Sequence, residues 1–177
     1  MGRVVDIGAK DGYVWSGRAP ENVVAVDLDP WKHCNSVQAD ARLLPFRDSC
    51  FDTSVMFELL EHLEDDDVVR AVNEAVRVCK KRVLISVPDD DPRNMRCNPV
   101  MEEIFVRNHP LFLSHRRRVS EPEVHRPDRM FSPERLRWLT GILGRYGRVR
   151  IYRIVNPGYS GYGLVLDKLD RTTCHLT

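Results

Sequence analysis

Four short runs rich in β-branched residues, VVDI at 4–7, VVAV at 23–26, SVMF at 54–57 and VLISV at 83–87, are mostly apolar at consecutive rather than alternate positions. A strand that is apolar on both faces must be covered on both. Polar or helical stretches separate these runs, as they would in a parallel sheet wrapped by helices. A shorter run, SVQA at 36–39, fits between the second and third. The pattern predicts an α/β architecture.

Helical spacing is clearest at 65–79, where Val68, Val69, Val72, Ala75, Val76 and Cys79 recur on one face. Asp65, Asp66 and Asp67 at its start and Lys80 and Lys81 at its end suit the helix dipole. A second helix is expected to begin at Ser132 as N-cap with Pro133 in the first position, to run through Leu136, Leu139 and Leu143, and to stop near Gly147. Two strands follow, RVRIYRIV at 148–155 and GLVLDKL at 163–169. The turn-forming NPGYSGY between them predicts a hairpin that closes the sheet. Between the fifth strand and Ser132 lie about 44 residues rich in Arg, His and Pro, a connection long enough to suggest a functional insertion at about 88–131.

The chain has 177 residues, the length of one domain, so a single unit over 1–177 is expected. With 42% hydrophobic and 30% charged residues it is neither disordered nor fibrous in composition. Apolar runs as short as VLISV fall far below the roughly 20 residues of a membrane helix. MGRVVDIG leads directly into a strand, which leaves no room for a secretory leader, and a cytoplasmic location is the expectation. The five cysteines contain no C-x-x-C pair, so reduced thiols are expected.

Charge is distributed unevenly along the chain. Residues 1–92 carry 11 cations against 18 acids, whereas residues 93–150 carry 13 cations, all of them Arg, against 6 acids. An acidic half precedes an arginine-rich block.

The chemistry-bearing residues lie where strands end. In VVDIGAKDG the turn after the first strand holds Asp6, Gly8 and Gly12, and glycines there allow backbone to approach a ligand at the carboxyl edge of an open α/β sheet. The ligand is not expected to be a dinucleotide, because the G-x-G-x-x-G pattern is broken by Lys10 and Tyr13. Asp27 ends the second strand, where an acid can accept hydrogen bonds from ribose hydroxyls. Asp40 ends the third, and FDTSVMFELLEHLED carries acids and a histidine to the same edge. Any one of these acids read alone is a surface or capping residue; their order and spacing argue otherwise.

Taken together, VVDIGAKDG, VVAVDLDP, ADARLLPF, FDTSVMFELLEHLED and RVLISVP resemble the five motifs of the class I S-adenosylmethionine-dependent methyltransferases, specifically their small type 11 group. HRPDRMFSPERLRWL resembles the approach to that family's last helix. The resemblance implies a Rossmann-like three-layer sandwich whose mostly parallel seven-stranded sheet runs in the order 3-2-1-4-5-7-6, with a C-terminal antiparallel hairpin and without the usual N-terminal helices. It implies that Asp6, Gly8 and Gly12, with Ala9 and Lys10 of the same turn, line the methionine part of S-adenosylmethionine. Asp27, with Leu28 beside it, would hold the ribose. Asp40 would accept from the adenine amino group, with Ala41 and Arg42 near the base, and Phe57, Glu58 and His62 would lie beside the sulfonium.

Lys10 stands where the family usually has glycine, so either the turn is remodelled or the ammonium pairs with the cofactor carboxylate. The crossovers at 12–23 and 29–36 are short for the family's helices. Glu58 and His62 are the candidates for a general base, with a structural role the alternative for His62, and no metal is expected. The acceptor implied is a small molecule selected by the 88–131 segment. Two other readings stand beside it: a non-catalytic cofactor-binding or partner subunit, and an RNA methyltransferase using Arg116, Arg117 and Arg118, a cluster that otherwise reads as a solvated face. A second copy or a partner subunit would cover the open cofactor site.

Overall fold

The computed structural model describes residues 2–10, 15, 20–29, 35–90, 130–156 and 159–169. Strands β1 (Val4–Ile7), β2 (Val23–Asp27), β3 (Ser36–Gln38), β4 (Phe51–Phe57), β5 (Cys79–Pro88), β6 (Gly147–Asn156) and β7 (Tyr159–Lys168) form one sheet in the order 3-2-1-4-5-7-6. The first five are parallel, and β7 enters antiparallel between β5 and β6. This is the expected Rossmann-like architecture. The polar edge between β1 and β4 is where the strand order reverses, the position at which open α/β sheets bind ligands.

Helices α1 (Asp65–Val78) and α2 (Pro133–Leu143) pack on the same face of the sheet. They bury Val68, Val72, Leu139 and Leu143 against Val5, Met56, Val83, Ile85, Leu164 and Leu166, all less than 3% exposed. Residues of the opposite parity, Val4, Val23 and Val55, face the other side and meet Trp15, Phe57 and Leu84. Apart from Trp15, most of the two short crossovers of the sequence reading lies outside the described residues, as does the 88–131 segment between 91 and 129.

Several boundaries differ from expectation for identifiable reasons. Helix α1 ends at Val78 and Cys79 is already extended, so Lys80 and Lys81 belong to β5 rather than to the helix end. The carbonyls of its last turn are instead capped from a distance, by the Lys168 ammonium donating to the oxygens of Val76 (2.8 Å) and Cys79 (2.6 Å). Ser132 caps α2 as expected, its hydroxyl accepting the Arg135 N–H at 3.2 Å, but the helix stops at Gly144 rather than near Gly147. Gly147 opens β6, where a β-carbon would collide with the carbonyl oxygen of Asp167. The hairpin turn is shorter than NPGYSGY, because pairing runs to Asn156↔Tyr159 and leaves only residues 157 and 158 between the strands.

Candidate cofactor and methyl-transfer site

The turn after β1 is left-handed at two residues. Gly8 has φ of +78°, and a β-carbon on it would lie 2.8 Å from Leu59 Cδ1. Lys10 has φ of +47°, a conformation that side chains disfavour by about 1 to 2 kcal/mol. The turn therefore keeps at Lys10 the path that a glycine would take, and the backbone does not reroute around the larger residue. Its N–H groups bind β2: Gly8 (2.8 Å) and Ala9 (3.0 Å) both donate to the Val26 carbonyl, and Lys10 donates to Asp27 Oδ2 at 2.7 Å. What this turn offers a ligand is shape and charge rather than those three donors.

Asp6, 2% exposed, points to the Trp15 side of the sheet and accepts the indole N–H of Trp15 at 2.7 Å. Burial raises its pKa to about 6, the nearby charge of Asp27 adds to the rise, and the Trp15 hydrogen bond opposes it. Asp27 accepts one N–H on each oxygen, from Lys10 and, at 3.1 Å, from Asp29. A carboxylate has about four lone-pair sites, so each oxygen retains capacity for a hydroxyl. Asp6 and Asp27 thus stand close together beside the switch point of the sheet. Leu28, next to them, is 66% exposed.

Beyond β3, Asp40 is gripped by Arg42 through its backbone N–H (2.8 Å to Oδ1), its Nε (2.9 Å to Oδ1) and its Nη2 (2.6 Å to Oδ2). The Arg42 guanidinium holds the Asp40 carboxyl below the usual carboxylate range and reaches on to Asp67 in the first turn of α1 at 2.8 Å. Asp40 and Arg42 are therefore one unit tied to a helix, with Ala41 half-buried between them.

At the end of β4, Phe57 is half-buried and Glu58 takes a left-handed φ of +51°. Its N–H donates to the Ser86 carbonyl at 3.1 Å, and its Oε1 accepts the Ser86 hydroxyl at 2.8 Å. Strain at a non-glycine residue, held from both backbone and side chain, is typical of functional sites. His62 ends a single 3-10 turn, Leu60–His62; its Nε2 lies 3.9 Å from the buried Glu61 Oε1 and its side chain is 40% exposed. Gly12 lies outside the described residues, as do Arg116, Arg117 and Arg118.

Three participants escaped sequence reasoning. Trp15 sits in a crossover with no periodic signal, and Ser86 reads only as a polar position within VLISV. The third is a cluster where the long segment leaves the sheet. Asp89, 1% exposed, is engaged by the Arg153 guanidinium and by the Ser160 hydroxyl at 2.7 Å, and Arg153 stacks 4.7 Å from the centre of the Tyr162 ring. Its members are separated by 64 residues or more from Asp89, so only strand pairing joins them.

The order of the strands is that of the class I S-adenosylmethionine-dependent methyltransferase fold. Residues 5–87 match the model of a methyltransferase-domain family. Among solved structures, an S-adenosylmethionine-dependent methyltransferase of Methanosarcina mazei is similar at 16% identity, covering 95% of this chain and 92% of that one with a TM-score of 0.58. A protein of Pyrococcus horikoshii is similar at 16% identity, with coverage of 96% and 82% and a TM-score of 0.60. The magnesium protoporphyrin IX methyltransferase of Synechocystis, with S-adenosylmethionine bound, is similar at 12% identity, with coverage of 95% and 70% and a TM-score of 0.54. No curated protein matches the chain. No helix among the described residues is long and apolar enough to cross a membrane.

Proposed function

We propose that this chain transfers the methyl group of S-adenosylmethionine to a small-molecule acceptor at the carboxyl ends of β4 and β5. The observation that carries the reading is the Asp6–Asp27 pair at the switch point, one acid buried and the other with lone pairs to spare. Asp27 receives the ribose hydroxyls, with Leu28 alongside. Asp6 faces the cationic methionine end together with the turn of Gly8, Ala9, Lys10 and Gly12. The Asp40–Arg42 unit, with Ala41, holds the adenine, and Phe57, Glu58 and His62 line the floor beside the sulfonium.

The sulfonium supplies an already activated methyl group, so the protein's work is alignment and exclusion of water. Phe57 contributes an apolar wall. Where the acceptor keeps its proton, Glu58 receives it, with its carboxylate oriented by Ser86. Among the described residues, two arginines at this edge are occupied, Arg42 by Asp40 and Asp67 and Arg153 by Asp89, which supports a small acceptor.

Calorimetry tests the cofactor assignment. S-adenosylmethionine and S-adenosylhomocysteine are expected to bind and NAD is not; comparable NAD affinity would overturn the reading. Asp27→Ala is expected to weaken S-adenosylmethionine binding by about 1.5 to 3 kcal/mol, the scale of lost hydrogen bonds to a charged group. Asp29→Ala should bind nearly as well, since Asp29 contributes its backbone N–H to Asp27. Equal losses at both positions would remove Asp27 from the site. Incubation with methyl-labelled S-adenosylmethionine and fractionated cell extract reads the acceptor: label entering only RNA or protein would refute a small molecule.

A further inference from the structure

Strand β6 forms one edge of the sheet, and among the described residues its sole strand partner is β7. Its ten residues pair with β7 in unbroken register, without a bulge, and include no proline and no lysine. The strand at the other edge, β3, has three residues. An edge strand presents a row of unpaired N–H and C=O groups, which proteins usually blunt by shortening the strand, bending it or placing charge on it. Neither of the first two devices is present in β6.

The charge it carries is turned back over its own sheet. Arg150 bonds Asp167 of β7 at 2.8 Å, and Arg148 lies close enough to help hold that carboxyl below the usual range. Arg153 is engaged by Asp89 and stacks on Tyr162 of β7. What β6 leaves exposed beside these balanced cations is apolar. Six large apolar side chains are exposed among the described residues, and three of them belong to β6: Ile151 (45%), Tyr152 (50%) and Val155 (56%). Because side chains alternate along a strand, Ile151 and Val155 share the face of Val149 and the two helices, while Tyr152 lies on the opposite face. A partner docking on either face would cover one set and leave the other. A strand pairing alongside covers both.

We propose that β6 pairs antiparallel with β6 of a second copy of this chain, forming the twofold seam of a dimer. In such a pair outward-facing backbone must meet outward-facing backbone, so the axis passes through a residue and not between two. Charge then selects the residue. An axis through position 149, 150 or 153 would set arginine against arginine, which destabilises a cross-strand pair. An axis through Ile151 opposes Arg150 to the partner's Tyr152, Arg148 to the partner's Ile154 and Arg153 to the partner's Val149. Every arginine then meets an apolar or aromatic side chain, and residues 147–155 pair along their whole length. Since β6 runs parallel to β5, the two cofactor edges point to opposite ends of the joined sheet. The dimer leaves both open, and its existence does not depend on the methyltransferase reading.

Sedimentation velocity between about 1 and 100 μM, spanning the affinities of moderate self-association, tests this. The wild type is expected to sediment at the upper concentrations with twice the 20.5 kDa mass of one chain. Ile151→Lys and Ile151→Glu each place two like charges opposite one another at the axis, and each is expected to weaken dimerisation at least about tenfold. Mixed in equal amounts, the two variants bring ammonium against carboxylate and should form the dimer again, as they can where residue 151 meets itself. Both should melt close to the wild type, because Ile151 is half exposed in the single chain. A wild type that stays monomeric throughout would overturn the proposal. So would a lysine variant that dimerises like the wild type, or a mixture of the two folded variants that remains monomeric.

Discussion

Asp6→Asn is expected to raise the melting temperature of the ligand-free protein at neutral pH while weakening its hold on S-adenosylmethionine. Asp6 titrates near 6 in the folded chain against 3.8 unfolded, because its charge is buried and stands near that of Asp27. Between those two values the folded state binds the extra proton, so stability falls as pH rises through this window, and the loss is complete above about pH 6. Two pH units at about 1.4 kcal/mol each give roughly 3 kcal/mol. Asn removes the charge yet retains an oxygen for the Trp15 indole. For a chain of this size that gain corresponds to a rise of about 2 to 4 °C per kcal/mol. The advantage should vanish near pH 4, where Asp6 is protonated in both states. With Asp6 facing the cationic end as proposed, calorimetry should show S-adenosylmethionine bound about 1.5 to 3 kcal/mol more weakly. A variant that melts below the wild type at about pH 7.5 would mean that the carboxylate is compensated within the protein and is not held ready for a ligand.

Phe131→Ala is expected to destabilise the fold by about 3 to 5 kcal/mol, the cost of removing a buried aromatic ring and leaving a cavity. Phe131 is fully buried where the chain returns to the sheet after the long segment, and its N–H donates to the Pro88 carbonyl at 3.0 Å. Its ring packs in the main core and carries the Arg135 guanidinium 4.5 Å from its centre. Urea denaturation measures the loss, and Phe131→Leu should recover most of it because a large apolar side chain still fills the space. A loss under about 1 kcal/mol for the alanine variant would show that the neighbouring side chains collapse into the void.

Both predictions turn on residues that the sequence makes visible to different degrees. Asp6 is conspicuous, an acid in an otherwise apolar strand, and its place at the carboxyl edge follows from the glycine after it. Its perturbed charge is not legible, because that depends on Trp15, nine residues away in a stretch with no periodic pattern, and on Asp27 in the next strand. Glu58 is likewise readable as an acid at a strand end, but its left-handed backbone and its bond to Ser86 come from the pairing of β4 with β5. Asp40 reads as an acid placed for a base; in the fold it shares its carboxylate with Arg42, which is anchored to α1 through Asp67.

By itself the sequence determined the strands that are apolar on both faces, the apolar stripe of α1, the Ser132 cap of α2 and the edge at which the acids gather. These are local properties, carried by side-chain periodicity and by backbone preferences within a few residues. The tertiary structure alone decided that Lys80 and Lys81 begin a strand instead of ending a helix, because the pairing of Phe51 with Cys79 makes Cys79 extended and Lys168 supplies the helix cap from 89 residues away. It also decided that Asp89 meets Arg153. Electrostatic partners are chosen by strand order and register, and β7 inserted between β5 and β6 sets both at once.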